Sequence, residues 1–142
     1  MINVLVAEDH PIVRDVLSRL LEKEGDLEVV AMVRNGEKAV NAAIRHHPHV
    51  AVLDVYMPEM DGIEAIEEIL VQSPQTRVLM LSGFNNDEYI RKSLEAGALG
   101  YVLKDFVGKD LVLAIHAVYE GHYYFSEQIA EVARLYMTDR RV

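Results

Sequence analysis

The chain has 142 residues, 51% of them hydrophobic, with 14 Lys plus Arg against 23 Asp plus Glu and a net charge of −9. That length suits one domain with a real core, and the acidic balance argues against the chain gripping nucleic acid by itself. Cysteine is absent, which excludes disulfides and thiolate metal sites.

Taken in order, Ile2 to Ala7 reads as an apolar strand ended by Glu8-Asp9. The start MINVLVAEDH turns acidic too soon for a signal peptide. Pro11 suits the first position of a helix. Val13, Val16, Leu17, Leu20 and Leu21 give that helix an apolar face, and Gly25 suits its end. Leu27 to Val33 is a second strand, and Asn35-Gly36 punctuate. Ala39, Val40, Ala43 and Ile44 mark a second helix that stops before Pro48. A third strand follows at Val50 to Leu53. Ile63, Ile66, Ile69 and Leu70 mark a third helix, closed near Ser73-Pro74. Arg77 to Leu81 is a fourth strand, ending in Ser82-Gly83. Tyr89, Ile90 and Leu94 mark a fourth helix, ended by Gly97. Gly100 to Leu103 is a short fifth strand, ending in Lys104. Leu111, Ile115, Val118 and Tyr119 mark a fifth helix, closed by Gly121. Beyond it, Ser126 is expected to cap a tail helix carrying Ile129, Ala133 and Tyr136, and MTDRRV reads as the start of a linker. Strands alternating with helices imply an α/β fold with a parallel sheet covered on both faces. No apolar run approaches the roughly 20 residues of a membrane span, so a cytoplasmic protein is the expectation.

The stretch His49 to Gly62, HVAVLDVYMPEMDG, carries the most information. Its apolar run reads as a strand buried on both faces. Asp54 cuts the run, and Met57-Pro58 and Asp61-Gly62 are turn signals. Asp54 therefore stands at the carboxyl end of a central strand, where open α/β sheets place their sites. A lone Asp there is more often a loop cap. Here strand 1 also delivers Glu8 and Asp9, strand 4 Ser82 and strand 5 Lys104, and parallel strands bring all these ends to one edge. Three close carboxylates repel and raise one another's pKa. A hard cation such as Mg²⁺, which takes oxygen ligands, relieves that repulsion. A carboxylate can also attack phosphorus. With a metal, a hydroxyl and an ammonium, the set suits phosphoryl transfer.

Glu8-Asp9, LDVYMPEMDG around Asp54, LSG ending in Gly83 and GYVLKD around Lys104 resemble the receiver domain of bacterial response regulators, from about Met1 to Gly121. AEDHPIVRDVL and YEGHYYFSEQIA are similar to the NarL/FixJ (LuxR-type) branch. The resemblance implies a flavodoxin-like, doubly wound sheet of five strands in the order 2-1-3-4-5 with five helices, plus a C-terminal tail helix. Residues 1–121 would be the receiver, and 122–142 the tail helix and the start of a linker to an output domain outside the chain. Asp54 would accept phosphate from a histidine kinase. Glu8, Asp9, Asp54 and the main-chain carbonyl of Tyr56 would hold Mg²⁺. Ser82 and Lys104 would bind phosphate oxygens, and Tyr101 would be the switch aromatic. Such a chain is a phosphoacceptor that assists its own phosphorylation and dephosphorylation, not an enzyme in the ordinary sense. Homodimerisation on phosphorylation, DNA contact only through a missing helix-turn-helix domain, and no membrane partner are further implications. The alternative is a stand-alone receiver that docks a partner protein. The surface expected to respond comprises helix 4, strand 5 and helix 5, with Tyr89 and Ile90.

Some residues depart from the family pattern. The acidic pair is Glu-Asp rather than Asp-Asp, Ser82 stands where Thr is commoner, and Asp105 follows Lys104 where many receivers have proline. Two rival functions fit worse. A haloacid-dehalogenase phosphatase wants a second Asp two residues after the first, and Tyr56 stands there. A flavin module needs a Ser/Thr- and Gly-rich loop after strand 1, and EDHPIV cannot cradle a phosphate. Without the resemblance, Tyr101 reads as core packing. His46, His47 and His49 lack helical metal spacing and read as solvated. Met57 and Met60 read as packing, and Glu64, Glu67 and Glu68 as the wet face of helix 3. The tail holds a basic cluster, Arg134, Arg140 and Arg141.

Overall fold

Strand and helix alternate from the first residues of the chain to the last in a computed structural model. It describes residues 1–57 and 59–141, with 138–141 described by backbone alone. Pro58, Val142 and the Arg140 and Arg141 side chains, named above for the loop, the linker and the basic cluster, lie outside the described residues. The strands are β1 (Ile2–Ala7), β2 (Leu27–Val33), β3 (Val50–Asp54), β4 (Arg77–Ser82), β5 (Gly100–Leu103) and β6 (Tyr124–Phe125). The helices are α1 (Pro11–Glu22), α2 (Gly36–His46), α3 (Gly62–Gln72), α4 (Asp87–Ala96), α5 (Val107–Tyr119) and α6 (Ala130–Arg141). The sheet runs β2-β1-β3-β4-β5-β6 with every pair parallel. The expected order is correct as far as it goes, but the sheet has six strands rather than five. The sixth is only two residues long, too short to show a period. It is held by Tyr124 N–H donating to the Leu99 carbonyl and Ser126 N–H donating to the Tyr101 carbonyl, both at 3.1 Å. The sixth helix is the expected tail helix.

Each central strand is buried on both faces, so it feeds two cores. On one face Val4, Val6, Val52, Leu79 and Leu81 pack against Leu17 and Leu21 of α1 and Leu111, Ile115 and Val118 of α5. On the other, Leu5, Leu53, Met80 and Tyr101 pack against α2, α3, α4, Ile129 in the turn before α6 and, through Ala133, α6. At roughly 1.5–3 kcal/mol per large apolar side chain buried, these two layers dominate the stability.

Local chemistry sets the helix ends. The side chains of Asn35, Asp61 and Asn86 accept from the backbone N–H of Lys38, Glu64 and Tyr89 at 2.8, 2.9 and 3.1 Å. Gly97 ends α4 at φ 115, a left-handed conformation that glycine adopts without strain. Gly25 does not play that part: α1 ends at Glu22 with a right-handed cap at Lys23. Val16, Ile44 and Tyr119, assigned above to apolar faces, are substantially exposed. His47 and His49 are exposed but engaged, His47 Nδ1 with Ser73 Oγ and His49 Nδ1 with the backbone N–H of Asn3.

Candidate functional site

All five strand-end residues named above lie on the carboxyl edge of the sheet. Glu8 follows β1 and is fully buried, and Asp54 closes β3 and is 4% exposed. Asp9 is exposed. One carboxylate oxygen from each of Glu8, Asp9 and Asp54 lies within 4.8 Å of the others. Lys104, the residue after β5, reaches back across the edge. Its Nζ stands 2.8 Å from Glu8 Oε1 and 3.0 Å from Asp54 Oδ2.

Two further groups hold the acidic turn. The backbone N–H of His10 donates to Glu8 Oε2 at 3.1 Å. The Arg14 guanidinium donates to the carbonyls of Glu8 and Asp9 at 3.0 and 3.1 Å. Arg14 offsets part of the local charge through main-chain carbonyls rather than through the carboxylates, a role its place on α1 does not announce in the sequence.

Burial raises the pKa of the Asp54 carboxyl, and the Glu8 charge adds to it. Lys104 opposes both, and the balance lies at about 7. Burial pulls Lys104 down, but its bonds to Glu8 and Asp54 and their charges outweigh that, leaving it above the ordinary lysine value. Lys104 is therefore a fixed cation, and Asp54 is poised between its two forms near neutrality.

The donor set suits a hard cation. Three carboxylates converge from two adjacent strands. Glu8 Oε1 is buried without a hydrogen bond of good geometry, although Lys104 stands beside it. An under-satisfied buried carboxylate oxygen beside two other carboxylates is what a Mg²⁺ site supplies. The backbone N–H of Tyr56 donates to Asp54 Oδ1 at 3.3 Å.

Ser82 and Tyr101 lie beside this pocket without touching Asp54. The Ser82 hydroxyl bonds its own turn, accepting from Phe84 N–H at 3.0 Å and donating to the Phe84 carbonyl at 3.3 Å, and it neighbours the Tyr101 hydroxyl. Tyr101 is buried on β5, as core packing requires, yet its hydroxyl donates to the Phe84 carbonyl at 3.2 Å. Burial raises the Tyr101 phenol pKa, the neighbouring Ser82 hydroxyl opposes it, and the Tyr89 and Asp54 charges add to the rise. Ile90, expected at the responsive surface, is instead fully buried under α6 and the sheet.

The rim carries an aromatic trio that strand and helix patterns do not reveal. Tyr56 and Phe84, 52% and 53% exposed, meet edge to face, and both rings contact Tyr89. The Tyr56 and Tyr89 hydroxyls are hydrogen-bonded. These rings come from three separate loops or helices, so only the fold gathers them.

A model of the response regulator receiver domain matches residues 4–116. Over 123 residues the chain is 37% identical to the oxygen regulatory protein NreC of Staphylococcus epidermidis, which covers 86% of this chain and 56% of that protein. The chain thus spans about half the length of the curated relatives it matches. A LuxR-family two-component response regulator from an Aurantimonas species superposes with a TM-score of 0.89 at 30% identity, over 97% of this chain and 99% of that one. The receiver domain of the putative response regulator NarL from Mycobacterium tuberculosis gives 0.82 at 32% identity, over 85% and 98%. With the family model over most of its length, LuxR- and NarL-type proteins among its relatives and an acidic pocket at the strand ends, the chain belongs to the receiver domains of two-component response regulators.

Proposed function

We propose that the chain is a phosphorylation-driven switch whose phosphoacceptor is Asp54. The observation that carries this reading is the buried Asp54 carboxylate in ion-pair contact with Lys104 and clustered with Glu8 and Asp9. An Asp54 oxygen forms the new bond to phosphorus as the bond to the leaving group breaks. That leaving group is the imidazole of a histidine kinase's phosphohistidine, or acetate when the donor is acetyl phosphate. Glu8, Asp9, Asp54 and the Tyr56 carbonyl would hold Mg²⁺, which when bound offsets negative charge on the phosphoryl oxygens. Lys104 pairs with a phosphoryl oxygen in place of the Asp54 carboxylate. Ser82 turns its hydroxyl from its own turn toward the same group.

The new anion brings roughly −1.5 to −2 charges. As Ser82 turns, Phe84 N–H loses its acceptor and the Phe84 carbonyl, which Tyr101 holds, is free to shift. The response then spreads through Tyr101 to Tyr89, α4, β5 and α5. It biases two states rather than creating one.

We assign residues 1–121 to the receiver and 122–142 to the tail that leads to an output domain. Because the relatives are about one and a half times as long, DNA binding is assigned to that domain and not to these residues. Dimerisation on phosphorylation belongs to the same reading. No helix among the described residues is long and apolar enough to cross a membrane, and a cytoplasmic location is proposed.

Intact mass after incubation with acetyl phosphate and Mg²⁺ tests the assignment. One phosphoryl group should be gained and should be lost in Asp54→Asn. Undiminished labelling of that variant would falsify it.

A further inference from the structure

Ser126 does not cap the tail helix. It stands at the N-cap position of the short turn ahead of α6, but its side chain makes no capping hydrogen bond, and it is fully buried. Its hydroxyl donates to Asp110 Oδ2 at 2.8 Å and accepts from the backbone N–H of Leu103 at 3.0 Å. The other Asp110 oxygen accepts from the Tyr124 hydroxyl at 2.7 Å. Asp110 itself is 4% exposed, so a buried carboxylate near the start of α5 is held by two hydroxyls from the tail. Partial burial and the Asp110 bond and charge push the Tyr124 phenol up to about 12, which keeps it a donor at neutral pH.

The arrangement has a direction. A hydroxyl has one proton, and Ser126 gives it to Asp110, so its lone pairs face Leu103. Leu103 ends β5, while β6 has already ended at Phe125. The Ser126 hydroxyl therefore supplies the acceptor that a longer β6 would have offered. The next residue is Lys104, whose ammonium contacts Glu8 and Asp54. On the other side, the Ile129 N–H donates to the Ser126 carbonyl at 3.0 Å and starts the turn into α6, and Ile129 of that turn and Ala133 of α6 sit in the core shared with Tyr101 and Ile90.

We infer that Ser126, oriented by Asp110 and Tyr124, is a positioning residue for Lys104, and that it couples the docking of α6 to the chemistry at Asp54. The inference rests on the reading of Asp54 as phosphoacceptor. Without the Ser126 hydroxyl, the buried Leu103 N–H is orphaned, the end of β5 loosens and Lys104 loses its fixed reach. At equilibrium the coupling is reciprocal: as far as α6 docking favours the phosphorylated pocket, phosphorylation favours α6 docking by the same factor.

The test compares the wild-type chain with Ser126→Ala. Acetyl phosphate labelling should slow about fivefold, the effect of one lost hydrogen bond of ordinary strength on a barrier. Mg²⁺ affinity should not fall, because its proposed ligands come from β1, β3 and the loop after β3, and a loosened Lys104 competes less for Glu8 and Asp54. Amide exchange should speed up at Leu103, and phosphorylation of the wild type should change exchange across α6. Labelling of Ser126→Ala at the wild-type rate overturns the inference. So does a parallel loss of Mg²⁺ affinity, which would mean general loosening of the pocket. If Ser126→Ala does not fold, Tyr124→Phe carries the test, since it removes one of the two hydroxyls on Asp110 and should slow labelling in the same direction. A wild-type rate in that variant is equally damaging. Absence of labelling in the wild type itself would overturn the phosphoacceptor reading along with the inference.

Discussion

Gly62 lies directly behind Asp54: a Cβ added there would stand 2.1 Å from the Asp54 carbonyl oxygen and 3.0 Å from its carbonyl carbon. The Gly62 N–H also donates to the Val55 carbonyl at 2.9 Å. The glycine is needed for close approach of two backbones, and its φ is not left-handed. Backbone cannot move aside as a flexible side chain can, so Gly62→Ala should destabilise by about 1–3 kcal/mol, the usual cost of overpacking. Gly108, in the first turn of α5, has nothing within 4 Å of the same atom. There Gly108→Ala should be neutral or stabilising by up to about 1 kcal/mol through helix propensity. Urea melts of the two variants check this, and equal effects would remove the argument from close approach.

The raised pKa of Asp54 has a consequence for stability. The folded state holds its proton up to about pH 7, whereas an ordinary Asp releases it near 3.8. The folded protein therefore binds more protons between those values, and its stability falls as pH rises through that window. The shift corresponds to about 4 kcal/mol at most. Asp54→Asn removes the charge and the titration. In Mg²⁺-free buffer it should be more stable than wild type at pH 8 by about 1–3 kcal/mol, with the gap closing toward pH 4. A variant less stable than wild type at pH 8 would show that the Lys104 contact outweighs burial and the Glu8 charge.

Asp9 differs from its neighbours in being exposed. Removing it should leave the fold within about 0.5 kcal/mol of wild type, as for most surface changes. Mg²⁺ affinity should nevertheless drop more than about tenfold, since even an outer partner of a metal ligand contributes that much. Affinity in the wild type should weaken as pH falls, because protons compete for the same oxygens. Calorimetric titration of Asp9→Ala checks both points. Wild-type affinity in the variant would remove Asp9 from the site.

These residues also show what the linear sequence can carry. β3 and its terminal Asp54 were legible because an unbroken apolar run of strand length, cut by one carboxylate, has few other readings. The strand ends of β1, β4 and β5 were legible for the same reason, and parallel topology brought them together. The two-residue β6 has no period to detect. Ser126 looked like a helix cap because capping is a local rule, whereas its partners Asp110 and Leu103 lie 16 and 23 positions away. The same limit hid the Tyr56, Phe84 and Tyr89 cluster and left Ile90 assigned to the surface. Periodicity within α4 cannot report that α6 lies over it.

His116 offers a test far from the acidic pocket. On α5, its Nε2 stands 2.6 Å from Asp26 Oδ2 and its Nδ1 2.8 Å from the Val112 carbonyl. A carboxylate and a carbonyl are both acceptors, so both ring nitrogens must donate, and only the imidazolium can do that. The Asp26 bond, then the Val112 carbonyl and the Asp26 charge, raise the His116 pKa against some desolvation. Asp26 is lowered in turn, chiefly by the same bond. The sign follows from the raised histidine: the pair's contribution is fully present below about 6.5 and is lost as pH rises through the higher folded value. The contact joins the turn before β2 to α5, so its loss should loosen that corner without reaching Asp54. An NMR titration should place His116 above 6.5 in the wild type and nearer 6.5 in Asp26→Asn, where the Val112 carbonyl remains. An unchanged His116 titration in that variant would show that the carboxylate does not hold the proton.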